Sequence, residues 1–290
     1  MPELPEVETT INMLKTKVLN RTFVDIWTDW PSLIKKPTSF LEFKGRLKGK
    51  EILKITRKGK NIIFHLSGDL VMLIHQKMTG HLLYGQWEQE NGKWISQNNG
   101  PLKNDPQNKF LHLIFFLNNG FQMALSDLRK FAKVEIWEKD SFQNASTLKN
   151  LGPDALKISL NNFSQKLKSQ KRKIKQVLME QNIVAGIGNI YADEILFSAK
   201  INPQTPSNTL KQNQIKAIYQ SMQTILKLAI KNKGTSFSDY RNPSGEKGNF
   251  GNFTKVYQKK GQNCSRCKTK IQRIKIAGRS AHFCPKCQKT

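Results

Sequence analysis

The sequence predicts an α+β protein with two domains, the first built mainly from antiparallel β-strands behind one N-terminal helix and the second from helices. Three observations lead to this prediction. Short runs of β-type residues without intervening helices fill positions 22–137. Helical periodicity dominates after a break at Leu151-Gly152-Pro153-Asp154, and all 4 cysteines lie near the C-terminal end. We therefore expect a first domain over 1–150, a helical domain over 151–255 and a small cysteine-rich hairpin over 256–290.

The charge of the chain indicates the class of its partner. The 290 residues include 48 Lys and Arg against 21 Asp and Glu, which gives a formal net charge of +27. So large an excess on a composition that is 38% hydrophobic indicates a folded protein with a polyanionic partner. A generally basic soluble protein or an RNA-binding ribosomal component has a similar charge, so charge alone does not choose among these classes.

The compartment follows from what the sequence lacks. It contains no apolar run long enough to cross a membrane and no hydrophobic segment typical of a signal peptide. Cysteines confined to one end of the chain argue against a disulfide framework spread over the fold. We therefore expect a cytoplasmic protein.

The N-terminal stretch Met1-Pro2-Glu3-Leu4-Pro5-Glu6 has two interpretations. If Met1 is removed, Pro2 becomes a free secondary amine, and an α-amino group has a pKa of about 8, so much of it is neutral and nucleophilic. Such an amine forms an iminium ion with a sugar aldehyde carbon, and Glu3 and Glu6 lie close enough in sequence to move protons. The alternative is a frayed terminus in which Pro5 and the acidic residues merely begin a helix. Apolar residues at helical spacing support that helix: Val7, Ile11, Leu14 and Val18.

The β region consists of short runs separated by turns. The runs cover 23–27, 52–55, 61–66, 71–75, 110–116 and 121–125. Asn118-Asn119-Gly120, between the last two runs, is a strong hairpin signal. Strands this close in sequence indicate an antiparallel sandwich or barrel. Residues 86–109 are polar and rich in Asn, Gln and Gly, which predicts an exposed loop.

Three turns of the β region carry candidate functional residues. Arg57-Lys58-Gly59-Lys60 is a basic turn suited to a phosphate, or simply a solvated surface turn. His75-Gln76-Lys77-Met78-Thr79-Gly80 places a methionine in a loop, where it either inserts into a partner or fills the core. Ser126-Asp127-Leu128-Arg129-Lys130-Phe131 pairs a cation with an aromatic ring, a combination that enters a base stack in nucleic-acid-binding proteins.

After the domain break, helical stripes flank one glycine-rich turn. Residues 174–180 predict a helix, 184–189 a tight turn, and a second helix begins near Asn189. The glycines do not form a dinucleotide fingerprint, because Tyr191 stands where the third glycine would be. This arrangement either offers backbone N–H groups to a phosphate or forms a plain helical hairpin.

Two further segments complete the helical region. Residues 207–232 predict a long helix with one buried stripe. Residues 234–254 contain several glycines and few aliphatic side chains. A loop of about 20 residues inside a compact domain is usually functional or disordered.

The cysteines have the spacing of a metal site. Cys264-x2-Cys267 and Cys284-x2-Cys287 are separated by residues 268–283. Two such knuckles supply four thiolates to a tetrahedral zinc, which holds together a hairpin too small to fold alone. Disulfides or a redox pair are the alternatives. With cysteine at all four positions the zinc has no open coordination site, so we expect one structural zinc ion.

Three motifs in this order resemble those of one family. They are Pro2-Glu3-Leu4-Pro5-Glu6-Val7-Glu8, Val184-Ala185-Gly186-Ile187-Gly188-Asn189-Ile190-Tyr191-Ala192-Asp193-Glu194, and Gly278-Arg279-Ser280 followed by Cys284-Pro285-Lys286-Cys287-Gln288. Together they closely resemble the bacterial formamidopyrimidine-DNA glycosylases, repair enzymes also called 8-oxoguanine DNA glycosylase/AP lyases. The resemblance runs from residue 2 to residue 288.

The resemblance implies a fold and an activity. The fold is an N-terminal β-sandwich carrying the catalytic helix, followed by a helix–two-turn–helix domain and a zinc-finger β-hairpin. The activity is base excision repair: the enzyme binds damaged double-stranded DNA, flips out 8-oxoguanine or a formamidopyrimidine, removes it and nicks the strand by β- and δ-elimination. Zinc is the only metal implied, with no redox or nucleotide cofactor. We expect a monomer associated with the bacterial nucleoid.

The resemblance also implies roles for single residues. Pro2 matches the nucleophile that attacks C1′, and Glu3 matches the acid/base group that assists ring opening. Glu6 matches a supporting carboxylate, and Lys60 matches a catalytic lysine that contacts phosphate. The residues matching those that fill the void left by the flipped base are Met78, Arg129 and Phe131, with Arg129 facing the orphaned cytosine. The residues matching those that grip the bent DNA backbone are His75, Lys175, Asn189, Tyr257 and Arg279. Segment 234–254 matches the loop that covers the everted purine.

Some positions depart from the family pattern. Gln76-Lys77 follows His75 where Leu-Gly or Leu-Arg is more usual, and Ala132 follows Phe131 where Gly is usual. Both departures adjoin the void-filling residues, so they bear on the preferred opposite base and on the range of lesions. The 86–109 loop is also longer than usual.

Three alternatives compete with this interpretation. An endonuclease VIII-like enzyme for oxidised pyrimidines has the same fold, but Leu4 replaces the glycine typical of that branch and the 234–254 loop is long. A non-catalytic zinc-containing DNA-binding protein has no need of a free N-terminal proline. A basic RNA-binding protein leaves Pro2, Glu3 and Lys60 unexplained.

Overall fold

The computed structural model describes residues 1–142 and 145–289. Within that range the chain divides into two units. Unit 1 comprises Met1–Lys149 and Asn232–Gly251, and unit 2 comprises Asn150–Lys231 and Asn252–Thr290. No helix of the described chain is both long enough and apolar enough to cross a membrane.

Unit 1 begins with helix α1, Leu4–Val18, as its apolar stripe predicted. Pro5 lies in the first turn, where the missing N–H costs no helical hydrogen bond. Glu3 and Glu6 form a capping box at this end, and Lys15 and Lys17 lie in the last turn, where the helix dipole favours positive charge. The stripe Val7, Ile11, Leu14 and Val18 is buried.

The remaining elements of unit 1 are mainly strands. The strands are β1 Phe23–Thr28, β2 Ile34–Lys36, β3 Ile52–Lys58, β4 Asn61–Leu66, β5 Leu70–His75, β6 His81–Gly85, β7 Trp87–Glu90, β8 Lys93–Ser96, β9 Leu111–Leu117, β10 Gln122–Ser126 and β11 Lys133–Glu138. The helices are α2 Phe40–Leu47, α3 Pro101–Asn104, α4 Lys139–Phe142 and α5 Ser146–Lys149. Short 3-10 turns cover Pro31–Leu33 and Pro106–Lys109.

Nine of these strands form two sheets packed as a sandwich. The four-stranded sheet has the order β1-β9-β10-β6, and the five-stranded sheet has the order β2-β11-β5-β4-β3. All pairs are antiparallel except β2 with β11. The predicted hairpin at Asn118-Asn119-Gly120 joins β9 to β10, and Gly120 has a φ of +77°. One hydrophobic core lies between the two sheets and beneath α1. Of the two predicted architectures, the structure is therefore the sandwich and not the barrel.

The prediction that 86–109 is an exposed loop was wrong. The segment contains the β7–β8 hairpin, α3 and a 3-10 turn, and it packs on the face of the four-stranded sheet that the main core leaves open. Trp87 and Leu102 are buried there against Leu83 and Ile114. Two apolar anchors among many polar residues gave too weak a periodicity to detect in the sequence.

The structure also assigns one segment to a different unit from the one expected. Residues 232–251 were predicted to belong to the helical domain 151–255, but they are part of unit 1. Their backbone and side chains hydrogen-bond to α1: Thr235 N donates to Glu6 Oε1 at 2.7 Å, and Tyr240 Oη donates to the Glu6 carbonyl at 3.1 Å. Such long-range pairing is invisible to local sequence patterns.

Unit 2 is helical and ends in the cysteine-rich hairpin. Its helices are α6 Leu160–Lys168, α7 Ile174–Met179, α8 Asn189–Ser198 and α9 Gln212–Lys231, and its strands are β12 Gln272–Ile276 and β13 Arg279–Phe283. The predicted glycine turn lies between α7 and α8, with Gly186 at a φ of +112°. The hairpin is not separate from the helices, because Phe197 of α8 packs with Cys264, Ile271 and Cys284 in one cluster.

Gln76 is an unusual core residue of unit 1. Its side chain is 1% exposed, and neither its amide nitrogen nor its amide oxygen has a hydrogen-bond partner among the described residues. Gln122 provides a contrast in the same unit. Its Oε1 accepts from Trp87 N at 2.7 Å and its Nε2 donates to Trp87 O at 3.3 Å. One buried amide is therefore satisfied and the other is not.

We predict that Gln76→Met stabilises the protein, because it removes two unsatisfied polar atoms and keeps the side-chain length. The free energy of unfolding in urea should rise by about 1 kcal/mol or more. Gln122→Met, the matched control, should lower it by about 1–3 kcal/mol because the Trp87 backbone groups lose their partners. A Gln76→Met protein less stable than the parent would contradict this account.

Candidate active site

The start of α1 is held by the carboxylate of Glu6. Glu6 Oε2 accepts from Glu3 N at 2.8 Å, and Glu6 Oε1 accepts from Thr235 N at 2.7 Å. Pro2, Glu3 and Glu6 are all buried. Gly234 makes this approach possible, since a Cβ there would lie 2.8 Å from Glu6 Oε1 and its φ is +76°. The carboxylate thus fixes the N-terminal residues against segment 232–251.

Several charges surround the N-terminal amine. Burial lowers the pKa of the Met1 α-amino group, while the carboxylates of Glu3, Glu6 and Asp239 act to raise it and the Lys60 ammonium acts to lower it. The net effect is a lowered pKa. The structure therefore brings together the predicted Glu3, Glu6 and Lys60. Asp239 was missed by the sequence analysis, because it lies in a polar loop with no pattern to mark it.

Within the basic turn, the cations have different contacts. Arg57 Nε donates to Glu8 Oε2 at 2.7 Å and Arg57 Nη1 donates to Gly59 O at 3.0 Å, so this side chain braces the turn on α1. Lys58 Nζ donates to Leu148 O at 3.2 Å. Lys60 is 7% exposed and close enough to influence the pKa of both the N-terminal amine and His75. Of the basic turn, Lys60 is the residue that the fold brings to the amine.

His75 ends strand β5 as a neutral imidazole. Burial lowers its pKa to about 3, and the charges of Lys77 and Lys60 act in the same direction. Its Nδ1 accepts from Lys77 N at 3.0 Å, so the neutral ring carries its proton on Nε2. His75 is therefore a hydrogen-bond donor at neutral pH and not a cation.

The loops of Met78 and Arg129 are joined by Asp127. Asp127 Oδ1 accepts from the Thr79 hydroxyl, and Asp127 Oδ2 accepts from Ala132 N at 2.7 Å. Arg129 N donates to Thr79 Oγ1 at 3.1 Å. Because Asp127 is fully buried, it holds the two predicted void-filling loops in fixed relation.

The tips of these loops project outward. Phe131 is 51% exposed, and the Arg129 guanidinium lies 4.5 Å from the centre of its ring. Met78 is half-buried. Lys130 makes a second contact of this kind with Trp30, at 4.1 Å, a pair that the sequence did not reveal. An exposed aromatic ring beside a guanidinium is suited to contact a base.

In unit 2, Lys175 is placed differently from the other predicted DNA-gripping residues. It is 1% exposed, its Nζ lies 2.6 Å from Asp193 Oδ1, and it also donates to the Ser280 carbonyl. His282 donates its backbone N–H to the other oxygen of Asp193 at 2.9 Å. The structure thus shows the Lys175 side chain engaged within unit 2, and its contact with a DNA backbone stays a prediction. Through these contacts Lys175 ties α7 to α8 and to strand β13.

The other predicted residues of unit 2 are more accessible. Asn189 is the first residue of α8, and its Oδ1 has no hydrogen-bond partner among the described residues. Arg279 is exposed at the start of β13. Tyr257 is half-buried, with its ring edge-on to His282 and its backbone N–H donated to Glu194 Oε1 at 2.8 Å. Arg279 is therefore exposed, whereas the Oδ1 atom of the half-buried Asn189 is itself buried.

The four cysteines form a metal site. Their sulfur atoms all lie within 4.8 Å of one another, and none is in a disulfide. Arg266 N approaches Cys264 Sγ at 3.4 Å, and Cys287 N approaches Cys284 Sγ at the same distance. Four cysteine sulfurs, two of which accept backbone N–H groups, are the ligand set of a structural zinc ion. The set Cys264, Cys267, Cys284 and Cys287 thus fits the predicted zinc.

We predict one zinc ion per chain, bound by these four cysteines. Denaturation should release one equivalent of zinc and expose four thiols, measured with a zinc-responsive dye and a thiol reagent. Removal of zinc by a chelator should lower the melting temperature of the protein, because the hairpin has little core of its own. Two disulfides without zinc would overturn this assignment.

A second prediction concerns His75 and His81. Burial lowers the pKa of these imidazoles to about 3 and about 4. Neither ring should titrate between pH 8 and about 5 in an NMR titration, with signals assigned by comparison with His75→Asn and His81→Asn proteins.

The two histidines also make stability depend on pH. In the unfolded chain each ring binds a proton near pH 6.5, whereas the folded rings do so only near pH 3 and pH 4. The unfolded state therefore binds more protons as the pH falls through 6.5. Each histidine should remove about 1.4 kcal/mol of stability per pH unit below that value, until the pH reaches the pKa of the folded ring, about 3 for His75 and about 4 for His81. An NMR titration midpoint above pH 6 for either imidazole would contradict both the expected lack of titration and the expected loss of stability.

Comparison with known proteins places the chain in a family. Models of the formamidopyrimidine-DNA glycosylase N-terminal domain, of the formamidopyrimidine-DNA glycosylase H2TH domain and of a zinc finger found in FPG and IleRS match residues 1–134, 151–241 and 261–290. The formamidopyrimidine-DNA glycosylase of Streptococcus thermophilus is 37% identical over 100% of both chains. That of Pelotomaculum thermopropionicum is 35% identical over 100% of this chain and 99% of its own.

Solved structures agree with the sequence matches. A complex between Lactococcus lactis Fpg and DNA containing an abasic site has a TM-score of 0.86 at 34% identity and covers 99% of this chain and 100% of its own. A complex of Lactococcus lactis Fpg with DNA containing Fapy-dG has a TM-score of 0.85 at 33% identity and covers 99% of this chain and 100% of its own. With the domain models, the full-length relatives and the geometry in agreement, the chain is a member of the formamidopyrimidine-DNA glycosylase family, as its motifs predicted.

Proposed function

We propose that this protein is a bifunctional DNA glycosylase and AP lyase of base excision repair that removes 8-oxoguanine and formamidopyrimidines from double-stranded DNA. The observation that carries the proposal is the cluster formed by the N-terminal amine, Glu3, Glu6 and Lys60 in unit 1. Its relatives have been solved with Fapy-dG-containing DNA and with DNA containing an abasic site. A damaged duplex is therefore the substrate that both its own residues and its family favour.

The reaction begins at Pro2, once Met1 has been removed. The Pro2 nitrogen attacks C1′ of the damaged nucleotide and the bond from C1′ to the base breaks, so the base leaves with the bonding electrons and a proton. Ring opening, with the proton on O4′ supplied by Glu3, gives an iminium ion between Pro2 and C1′. The lowered pKa seen in the structure is that of the Met1 α-amino group. Pro2 is buried as well, and burial favours the neutral, nucleophilic form of an amine.

The iminium ion then serves as an electron sink for strand cleavage. Loss of a proton from C2′ expels the 3′ phosphate, and a further elimination expels the 5′ phosphate. Hydrolysis releases the sugar fragment and regenerates Pro2, leaving a one-nucleotide gap with phosphate ends. Glu6 is held by two backbone N–H groups, so it keeps the start of α1 in position. Lys60 provides a positive charge for the phosphate next to the lesion.

The DNA contacts divide into two groups. In unit 1, Met78, Arg129 and Phe131 fill the space vacated by the everted base, and His75 donates a hydrogen bond to the backbone. In unit 2, the residues that contact the backbone are Asn189, Tyr257, Arg279 and Lys175, the last of which is held in place by Asp193. We further propose that the enzyme acts as a monomer in the bacterial cytoplasm at the nucleoid.

The test is to trap the intermediate. The protein is incubated with a duplex carrying 8-oxoguanine opposite cytosine, borohydride is added, and the adduct is mapped by mass spectrometry. We expect a covalent bond to Pro2. Lys60→Met should reduce trapping roughly 100-fold because the transition state loses a charged donor. Lys58→Met, its control in the same turn, should trap normally.

Each alternative has its own outcome in this experiment. An adduct only with oxidised-pyrimidine DNA would favour an endonuclease VIII-like enzyme. No adduct with either duplex, from protein shown to begin at Pro2, would leave a DNA-binding protein without this chemistry.

A further inference from the structure

Segment 236–239 is the exposed tip of the loop formed by residues 232–251. Phe237 is 39% exposed, and Ser238 is also exposed. The residues on either side are buried: Thr235 is 4% exposed and Tyr240 is 5% exposed. Because the tip is short, the contacts that fix Thr235 and Tyr240 also determine its conformation.

One side of the tip is attached to the start of α1. Thr235 N donates to Glu6 Oε1 and Tyr240 Oη donates to the Glu6 carbonyl. Ser236 Oγ donates to Tyr240 O at 2.6 Å, which closes the base of the tip. These contacts bind the tip to the catalytic end of the helix.

The other side is held by an ion pair with the 86–109 segment. Arg241 Nε lies 2.6 Å from Asp105 Oδ2, and Arg241 Nη2 donates to Asp105 Oδ1 at 3.1 Å, a two-pronged geometry. Arg241 is only 3% exposed. Its remaining nitrogen, Nη1, donates to Ser238 O at 2.8 Å and to Tyr240 O at 2.9 Å. The guanidinium therefore connects Asp105 directly to the backbone of the tip.

The Asp105 side chain is also held by a backbone hydrogen bond within its own segment. Its Oδ1 accepts from Gln107 N at 3.0 Å, which caps the 3-10 turn Pro106–Lys109. Burial would raise the pKa of the Asp105 carboxyl, but the hydrogen bonds from Arg241 and Gln107 hold it below its ordinary value. Asn108 adds a second link, because its Nδ2 donates to Gly245 O at 3.1 Å and to Pro101 O at 2.8 Å. Beneath them, Leu102 is buried in the apolar cluster that anchors the segment to the sheet.

We propose that Asp105 and Arg241 form a strut through which the 86–109 segment positions tip 236–239 over the everted damaged base. This inference rests on the proposed function, which assigns the covering role to this loop. It gives the 86–109 segment a task that its sequence did not reveal. Asp105 and Arg241 are positioning residues: they act through the tip and touch neither the sugar nor the nucleophile.

The test separates the base-dependent step from the later chemistry. Single-turnover rates are measured on a duplex with 8-oxoguanine opposite cytosine and on the same duplex with a preformed abasic site. Asp105→Asn should slow excision of 8-oxoguanine roughly 10- to 100-fold, because a tip displaced by a fraction of an ångström no longer orients the base. Strand cleavage at the abasic site should stay within about two-fold of the parent, since no base remains to be covered.

Asp69→Asn is the matched control. Asp69 forms an exposed ion pair with Lys139 at 3.2 Å, with side-chain exposures of 80% and 68%. The same chemical change there should alter neither rate, because an exposed pair contributes little. Equal loss of both activities in Asp105→Asn would show a merely structural role and overturn the proposal, as would unchanged excision.

A double variant distinguishes positioning from folding. Asp105→Leu with Arg241→Met replaces the buried pair by apolar side chains and leaves no unpaired charge. If the pair serves stability alone, this variant should recover both its melting temperature and its excision rate. If Arg241 positions the tip through Ser238 O and Tyr240 O, excision stays slow in a stable protein. Parent protein beginning at Pro2 that cleaves neither duplex would overturn the proposed function itself and this inference with it.

Discussion

The geometry of unit 1 depends on the buried carboxylate of Glu6. Its two oxygens accept the backbone N–H groups of Glu3 and Thr235, and its own carbonyl accepts from Tyr240. One residue therefore caps α1 and joins that helix to a segment more than two hundred positions away in the chain. A buried carboxylate is costly unless both oxygens are satisfied, and here backbone donors satisfy both. Loss of this residue would release the amine end of the helix and the loop together.

Unit 2 also contains buried carboxylates that accept backbone N–H groups. The adjacent residues Asp193 and Glu194 of α8 are both buried. Glu194 accepts backbone N–H groups from Lys255, Val256 and Tyr257, while Asp193 binds Lys175 and His282. Irregular segments with few apolar side chains gain little stability from a hydrophobic core, so buried carboxylates that accept several hydrogen bonds help to hold them. The N-terminal residues and segment 232–251 in unit 1, and residues 255–257 and strand β13 in unit 2, are attached to helices in this way.

The sequence was informative where function depends on local spacing. The N-terminal motif, the cysteine knuckles and the hairpin at Asn118-Asn119-Gly120 each specify their structure within a few residues, and the structure and the family matches confirm them. It was uninformative where two irregular segments pair. Asp105 and Arg241 lie far apart in the chain, in stretches without periodicity, so nothing local marks either as buried. Lys175 is a second example, because a lysine in a basic stretch of sequence gives no sign that it is buried beside Asp193.

The candidate active site also shows why net charge and local charge must be considered separately. A chain of net charge +27 attracts DNA at long range, yet three carboxylates, Glu3, Glu6 and Asp239, surround its N-terminal amine. These carboxylates alone would favour the protonated, unreactive amine. Burial and the charge of Lys60 oppose them, and the balance is a lowered pKa. Three carboxylates can therefore lie beside an N-terminal amine whose pKa is nevertheless lowered, provided that the amine stays buried and Lys60 stays close.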